Sequence, residues 1–171
     1  PDGGCAVAGT SGTFGGDNND FWAVRVDAEG RELWRRSIGT AFEGAAAART
    51  PFDWCRSLAA TPDGGFVLAG MTNSRDIMDA LVVKLDGRGE TVWTRTLSWG
   101  AFYDFGCAVA ARPDGSLALA GVVKSASGDN DIVLAGLTAN GEPMGSRRIE
   151  GRGRDWAGAL AVTADGAVLA A

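Results

Sequence analysis

Two recurring sets of acidic residues are the side chains of this chain best placed to do chemistry. In the first, Gly16-Asp17-Asn18-Asn19-Asp20 and Gly128-Asp129-Asn130-Asp131 gather hard oxygen donors into short loops. Calcium takes about six to eight such oxygens from flexible loops, which makes Asp17, Asp20, Asp129 and Asp131 its candidate ligands. The competing reading is that these side chains bond to their own backbone and turn the chain into the next strand. The corresponding middle stretch, Ser74-Arg75-Asp76-Ile77-Met78-Asp79, keeps only the final aspartate. One position kept while its neighbours change fits turn capping better than coordination. No cofactor is therefore assigned, and calcium stands as the minor alternative.

In the second set, Asp53, Asp104 and Asp155 each precede an aromatic residue: Trp54, Phe105 and Trp156. Carboxylates gathered around a common pore raise one another's pKa, a device of acid–base catalysis. The structural reading has each aspartate satisfying turn amides while the aromatic packs between units. Identical chemistry in every unit is what packing demands, whereas an active site is normally unique, so no catalytic residue is assigned. The chain has no histidine, which leaves no Ser-His or Cys-His pair. It has no GxxxxGK phosphate loop and no CxxC zinc pair. Cys5, Cys55 and Cys107 occupy different places relative to the repeated turns and read as small buried apolar residues. A Cys55–Cys107 disulfide cannot be deduced from spacing.

The elements that must position these residues repeat. Pro62-Asp63-Gly64-Gly65 returns as Pro113-Asp114-Gly115-Ser116 and Ala164-Asp165-Gly166-Ala167, after opening the chain as Pro1-Asp2-Gly3-Gly4; the intervals are 61, 51 and 51 residues. The tetrads at Asp2, Asp63 and Asp114 each lead into an apolar run ending in glycine, such as Phe66-Val67-Leu68-Ala69-Gly70. A polar loop then ends at Asp20, Asp79 or Asp131, and a second apolar run follows. A Gly-containing turn precedes Leu33-Trp34-Arg35-Arg36, Val92-Trp93-Thr94-Arg95 or the degenerate Met144-Gly145-Ser146-Arg147. Trp34 and Trp93 read as packing residues, and Arg36, Arg95 and Arg147 as partners for the repeated aspartates.

Four short apolar segments per 51 residues, with no sustained 3.6-residue period, predict an all-β fold. A four-stranded antiparallel unit repeated at this period predicts a partial β-propeller. The reading is one propeller fragment over residues 1–171: a partial unit 1–52 carrying an insertion at 39–51, units 53–103 and 104–154, and a partial unit 155–171. The second apolar run is apolar on both faces, as expected of strands sandwiched between neighbouring sheets. Propellers close with about four to eight units, so the chain reads as an internal fragment whose neighbours are further blades.

Formal charge is −5, from 21 acidic and 16 basic residues, and no basic stripe marks a nucleic-acid site. No apolar run approaches the roughly 18 residues of a membrane span.

The string Asp79-Ala80-Leu81-Val82-Val83-Lys84-Leu85-Asp86, continued by Trp93-Thr94-Arg95, resembles bacterial β-propeller repeat proteins of the SBBP and related types. The resemblance covers nearly all the chain outside the Gly39 to Pro51 insertion. It implies a scaffold or binding module within a larger exported or surface-attached protein, extracellular or periplasmic, with an unidentified protein or glycan ligand. The third unit departs from the pattern: Thr138 replaces the turn aspartate and Gly145 the tryptophan, so looser packing is expected there. The Gly30–Trp34 and Gly89–Trp93 spacing is similar to quinoprotein-type propellers, in which that Trp docks on the neighbouring blade. The rival expectations are a propeller enzyme of quinoprotein or lyase kind, with its site in blades outside this sequence, and a calcium-dependent adhesion module.

Overall fold

The structure, a computed structural model, describes residues 3–12, 19–41, 51–75, 77–100, 103–124, 128–151, 153–163 and 165–171. Asp17, residues 42–50 of the expected insertion and the Cys107 side chain lie outside the described residues. Among those described there is no helix, and every sheet is antiparallel, with one isolated parallel bridge, Met78 to Tyr103, between sheets. β1 (Cys5–Ser11), β2 (Asp20–Val26) and β3 (Glu32–Ile38) form a three-stranded sheet. β4 (Asp53–Ala60), β5 (Phe66–Thr72), β6 (Asp79–Leu85) and β7 (Thr91–Leu97) form a second, four-stranded sheet. The third has the same order in β8 (Asp104–Ala111), β9 (Leu117–Lys124), β10 (Asn130–Leu137) and β11 (Pro143–Ile149). A two-stranded pair, β12 (Leu160–Val162) and β13 (Val168–Ala170), ends the chain.

The recurring tetrad is a hairpin turn. Asp63 Oδ1 accepts the Gly65 amide at 3.1 Å, Asp114 Oδ1 that of Ser116 at 2.9 Å and Asp165 Oδ1 that of Ala167 at 3.3 Å. The residue between, Gly64, Gly115 or Gly166, sits at φ 79°, 84° or 85°, where a Cβ would strain the backbone. Strand registers match as well: β2–β3 shifts between Arg25 and Val26, β6–β7 between Lys84 and Leu85, and β10–β11 between Gly136 and Leu137.

Alternation along each strand then divides the core. Phe66 and Leu68 of β5, with Leu81, Val83 and Leu85 of β6, pack on Phe21, Ala23 and Trp34 of the first sheet. The opposite face of the same strands, Val67, Ala69 and Val82, packs on Val109, Leu117, Leu119 and Leu137 of the third. Ala108 and Ala120 carry the packing on to Ala157 and Leu160. β5 and β6 are buried at every residue because both their faces meet another sheet. β2 differs: Phe21 and Ala23 are buried, while Trp22 and Val24 are only half-buried. β11 is exposed along its whole length.

Candidate functional site

The two aspartate series, separate in the sequence, meet at the seams between sheets. β2, β6 and β10 bring Asp20, Asp79 and Asp131 to one rim, where they meet Asp53 at the start of β4, Asp104 at the start of β8 and Asp155 in the segment before β12. Each meeting is fixed by a backbone bond. The Asp53 amide donates to Asn19 O at 2.6 Å, Asp104 to Met78 O at 2.7 Å and Asp155 to Asn130 O at 2.9 Å.

The three seams settle their carboxylates differently. At the first, Asp53 is fully buried; Oδ2 accepts the Thr40 amide at 2.5 Å and Oδ1 accepts Thr40 Oγ1 at 2.9 Å. Burial pushes the Asp53 pKa up, the Asp20 charge adds to this, and hydrogen bonds from Thr72 and Thr40 oppose it. At the second, Asp104 Oδ2 accepts Ser98 Oγ at 3.1 Å and the amides of Trp99 and Gly100 at 2.5 and 3.0 Å. Asp79 and Asp104 are each 1% exposed, and the Oδ1 of each is buried without a hydrogen-bond partner. At the third, Arg148 donates to Asp131 Oδ2 through Nε at 2.7 Å and also through Nη2. Asp155 is half-buried against Gly151, where a Cβ would lie 1.9 Å from its Oδ2.

Asp20, Asp129 and Asp131 do not converge on an ion position. Asp20 Oδ2 accepts Ser37 Oγ at 3.3 Å, Asp131 is taken by Arg148, and Asp129 is exposed. Among the described residues no group of three or more acidic, cysteine or histidine side chains is arranged to hold a metal. Cys55 is a free thiol, and burial pushes its pKa up to about 12, which leaves no thiolate at neutral pH. Cys5 is also free, and exposed rather than buried as its apolar reading had it, because it lies on the edge strand of the first sheet.

Away from this rim, Trp34 and Trp93 clasp the following sheet. Trp34 Nε1 donates to Gly87 O at 3.1 Å, and Trp93 Nε1 to Ala139 O at 3.0 Å. Each indole lies flat against a turn glycine: a Cβ on Gly89 would be 2.7 Å from Trp34, and one on Gly141 would be 3.0 Å from Trp93. Arg36 and Arg95 pair with glutamates where the sequence predicts aspartates. Arg36 reaches Glu90 Oε1 at 2.5 Å, and Arg95 reaches Glu142 Oε1 at 3.0 Å, because both arginines stand on outer strands that face the next sheet's turn. The sequence reading missed Thr40, Ser98 and Arg148; their one signal is a place at, or just beyond, the end of an outer strand.

The aromatics beside the second series are not packed away. Trp54 and Trp156 are 45% and 57% exposed, and so is Tyr103 at 45%. Tyr103 stacks on Phe105 and Phe105 on Trp156, both at 6.4 Å between centroids, with interplanar angles of 3° and 20°. Arg56 stands over Trp54 and Lys124 over Tyr103. At the opposite ends of β4, β8 and β12, a cleft of about 400 Å³ is lined by Ala60, Pro62, Ala111, Pro113 and Val162, with Arg112 its one ionisable residue. Nothing in that lining pairs an acid with a base.

No protein-family model matches the chain, and no curated protein does. Among solved structures it is similar to a protein of unknown function from Bacteroides caccae, with a TM-score of 0.56 and 15% identity. The match covers 90% of this chain and 47% of that protein, so the chain spans about half of its neighbour's length. At such identity the likeness concerns the fold alone.

Proposed function

We propose that this chain is a non-enzymatic, propeller-type scaffold or binding module, a segment of a larger exported or cell-surface bacterial protein. The observation that carries this reading is the recurrence of one clasp at successive seams, Trp34 on Gly87 and then Trp93 on Ala139, each joined by an arginine–glutamate pair. Chemical groups that recur unit after unit are spent on joining sheets. The shared cleft at the ends of β4, β8 and β12 supports inner strands set around a common line, as in a propeller. The buried aspartates are bonded to turn amides and hydroxyls, and the sequence holds no histidine to act beside them.

The exposed rings of Trp54, Tyr103 and Trp156 give the module its contact surface, on the same rim as the carboxylates. Flat aromatic faces with adjacent cations suit a glycan or protein ligand better than a buried small molecule. The test is a binding screen of the protein against immobilised extracellular glycans and proteins, repeated with Trp54→Ala and Trp156→Ala. Binding lost in the variants at unchanged thermal stability supports the proposal. Turnover of a substrate by the purified chain, abolished by Asp104→Asn, overturns it.

A further inference from the structure

Resting on the reading of the rim aromatics as the contact surface, we infer that their ligand is a carboxylated glycan: an extended chain of acidic sugars whose anions meet Arg56 and Lys124. Arg56 stands over Trp54, 5.8 Å from the ring centroid, and the Lys124 ammonium lies 5.5 Å from the centroid of Tyr103. Trp54 and Tyr103 are each 45% exposed; Arg56 is exposed and Lys124 half-buried. Each pair therefore offers solvent a flat apolar ring with a positive charge held beside it.

The rim holds carboxylates that could neutralise these cations, but they are engaged elsewhere. Asp53 and Asp104 are buried and bonded to turn groups, and Asp131 is taken by Arg148. Lys124 is in register with Asn130, yet its ammonium lies over the Tyr103 ring and not on the exposed neighbour Asp129. Among the described residues no carboxylate forms an ion pair with Arg56 or Lys124. An aromatic face attracts a cation through its quadrupole without cancelling the charge, which stays available to a ligand.

Spacing selects an extended ligand. Trp54 lies at the start of β4 in the second sheet, and Tyr103 just before β8 in the third. Packed sheets stand about 10 Å apart, so a single sugar cannot lie on both rings. Tyr103 continues into Phe105 and Trp156 through ring contacts at 6.4 Å, and the exposed Arg154 stands two residues before Trp156. Ring and cation thus recur on three successive units, as a row and not a pocket. Ligand chemistry narrows the choice further. Nucleic acid, with a charge about every 1.7 Å of duplex, calls for massed basic residues, which a chain of formal charge −5 does not supply. An acidic peptide carries its carboxylates on flexible stems with no flat apolar face. An acidic sugar holds a carboxylate at the edge of a ring whose C–H face is apolar, the complement of an aromatic flanked by a cation. Arg56 can take such a carboxylate through two parallel N–H donors.

The experiment is titration calorimetry of the chain with polygalacturonate and with alginate, each also in its fully esterified, uncharged form. Poly-glutamate and single-stranded DNA serve as the other polyanions. The expected result is binding to at least one acidic glycan that weakens as sodium chloride is added. Esterification of that glycan, and separately the double substitution Arg56→Gln with Lys124→Gln, should weaken binding about tenfold or more at an unchanged thermal melt. Esterified chains bound as tightly as the acidic ones overturn the inference, while loss of that binding in Trp54→Ala keeps the rings as a glycan surface. Tighter binding of poly-glutamate or single-stranded DNA overturns it in favour of that polyanion. Binding to neither acidic glycan also overturns it, and the contact-surface reading is then decided by the Trp54→Ala and Trp156→Ala screen alone.

Discussion

Trp34 and Trp93 occupy the same place in successive sheets but not the same surroundings. Trp34 is 9% exposed, with Phe66 edge-on at 5.7 Å, whereas Trp93 is only half-buried. Both indoles make one hydrogen bond to the next turn, so the difference between them is apolar burial. Truncating Trp34 to alanine should cost about 3–5 kcal/mol, the range for buried aromatics, and truncating Trp93 roughly half of that. Urea unfolding of the two variants measures the gap directly, and equal losses would contradict the burial difference. Asp63 gives a second residue-level expectation. Burial opposes its ionisation, but bonds from Thr61, Lys84 and the Gly65 amide outweigh burial and hold its carboxyl at about 2. A lowered folded pKa stabilises above the unfolded value of about 3.9, and the gain is lost as pH falls towards the folded one. Asp63→Asn should therefore flatten the loss of stability between about pH 4 and 2, a small effect for so exposed a side chain.

At the scale of the element, strand positions were legible in the sequence because each apolar run lies between two turn signals. Phe66 to Gly70 became most of β5, and Ala80 to Leu85 became β6 less its first residue. The pairing of the aspartate series was not legible, because it is made across a seam between sheets, where neither alternation nor turn chemistry specifies a partner. The exposure of Trp54 and Trp156 was hidden for a related reason: hydrophobic character predicts burial only if a neighbouring surface covers the position. Glycines at seams were equally silent. Gly106 lies where a Cβ would be 2.5 Å from Gly70 O of the adjacent sheet, while a Cβ on Gly9 of β1 would meet nothing within 4 Å. Gly106→Ala should cost about 1–3 kcal/mol through overpacking of the seam, and Gly9→Ala should be close to neutral. Thermal melts of the two variants provide the comparison, and a neutral Gly106→Ala would mean that the second and third sheets are not tightly docked.

For the whole molecule, the successive packing of first sheet on second, second on third, and third on the final pair makes stability a matter of neighbours. In an array of this kind, each unit contributes its own stability and an interface on either side. β5 and β6 have sheets against both faces and are buried throughout, whereas β11 is exposed along its length and β13 nearly so. Local opening should then begin at β11 and the β12–β13 pair, where few apolar contacts are lost, and reach β5 and β6 only with global unfolding. Native-state hydrogen exchange resolves this ordering. Amides of β5 and β6 should exchange with the free energy of global unfolding, and those of β11 and β13 with much less. Uniform protection across all four sheets would mean that the molecule opens as one cooperative block. Stacked units joined only through their seams could not do that unless each seam were stronger than the sheets it joins.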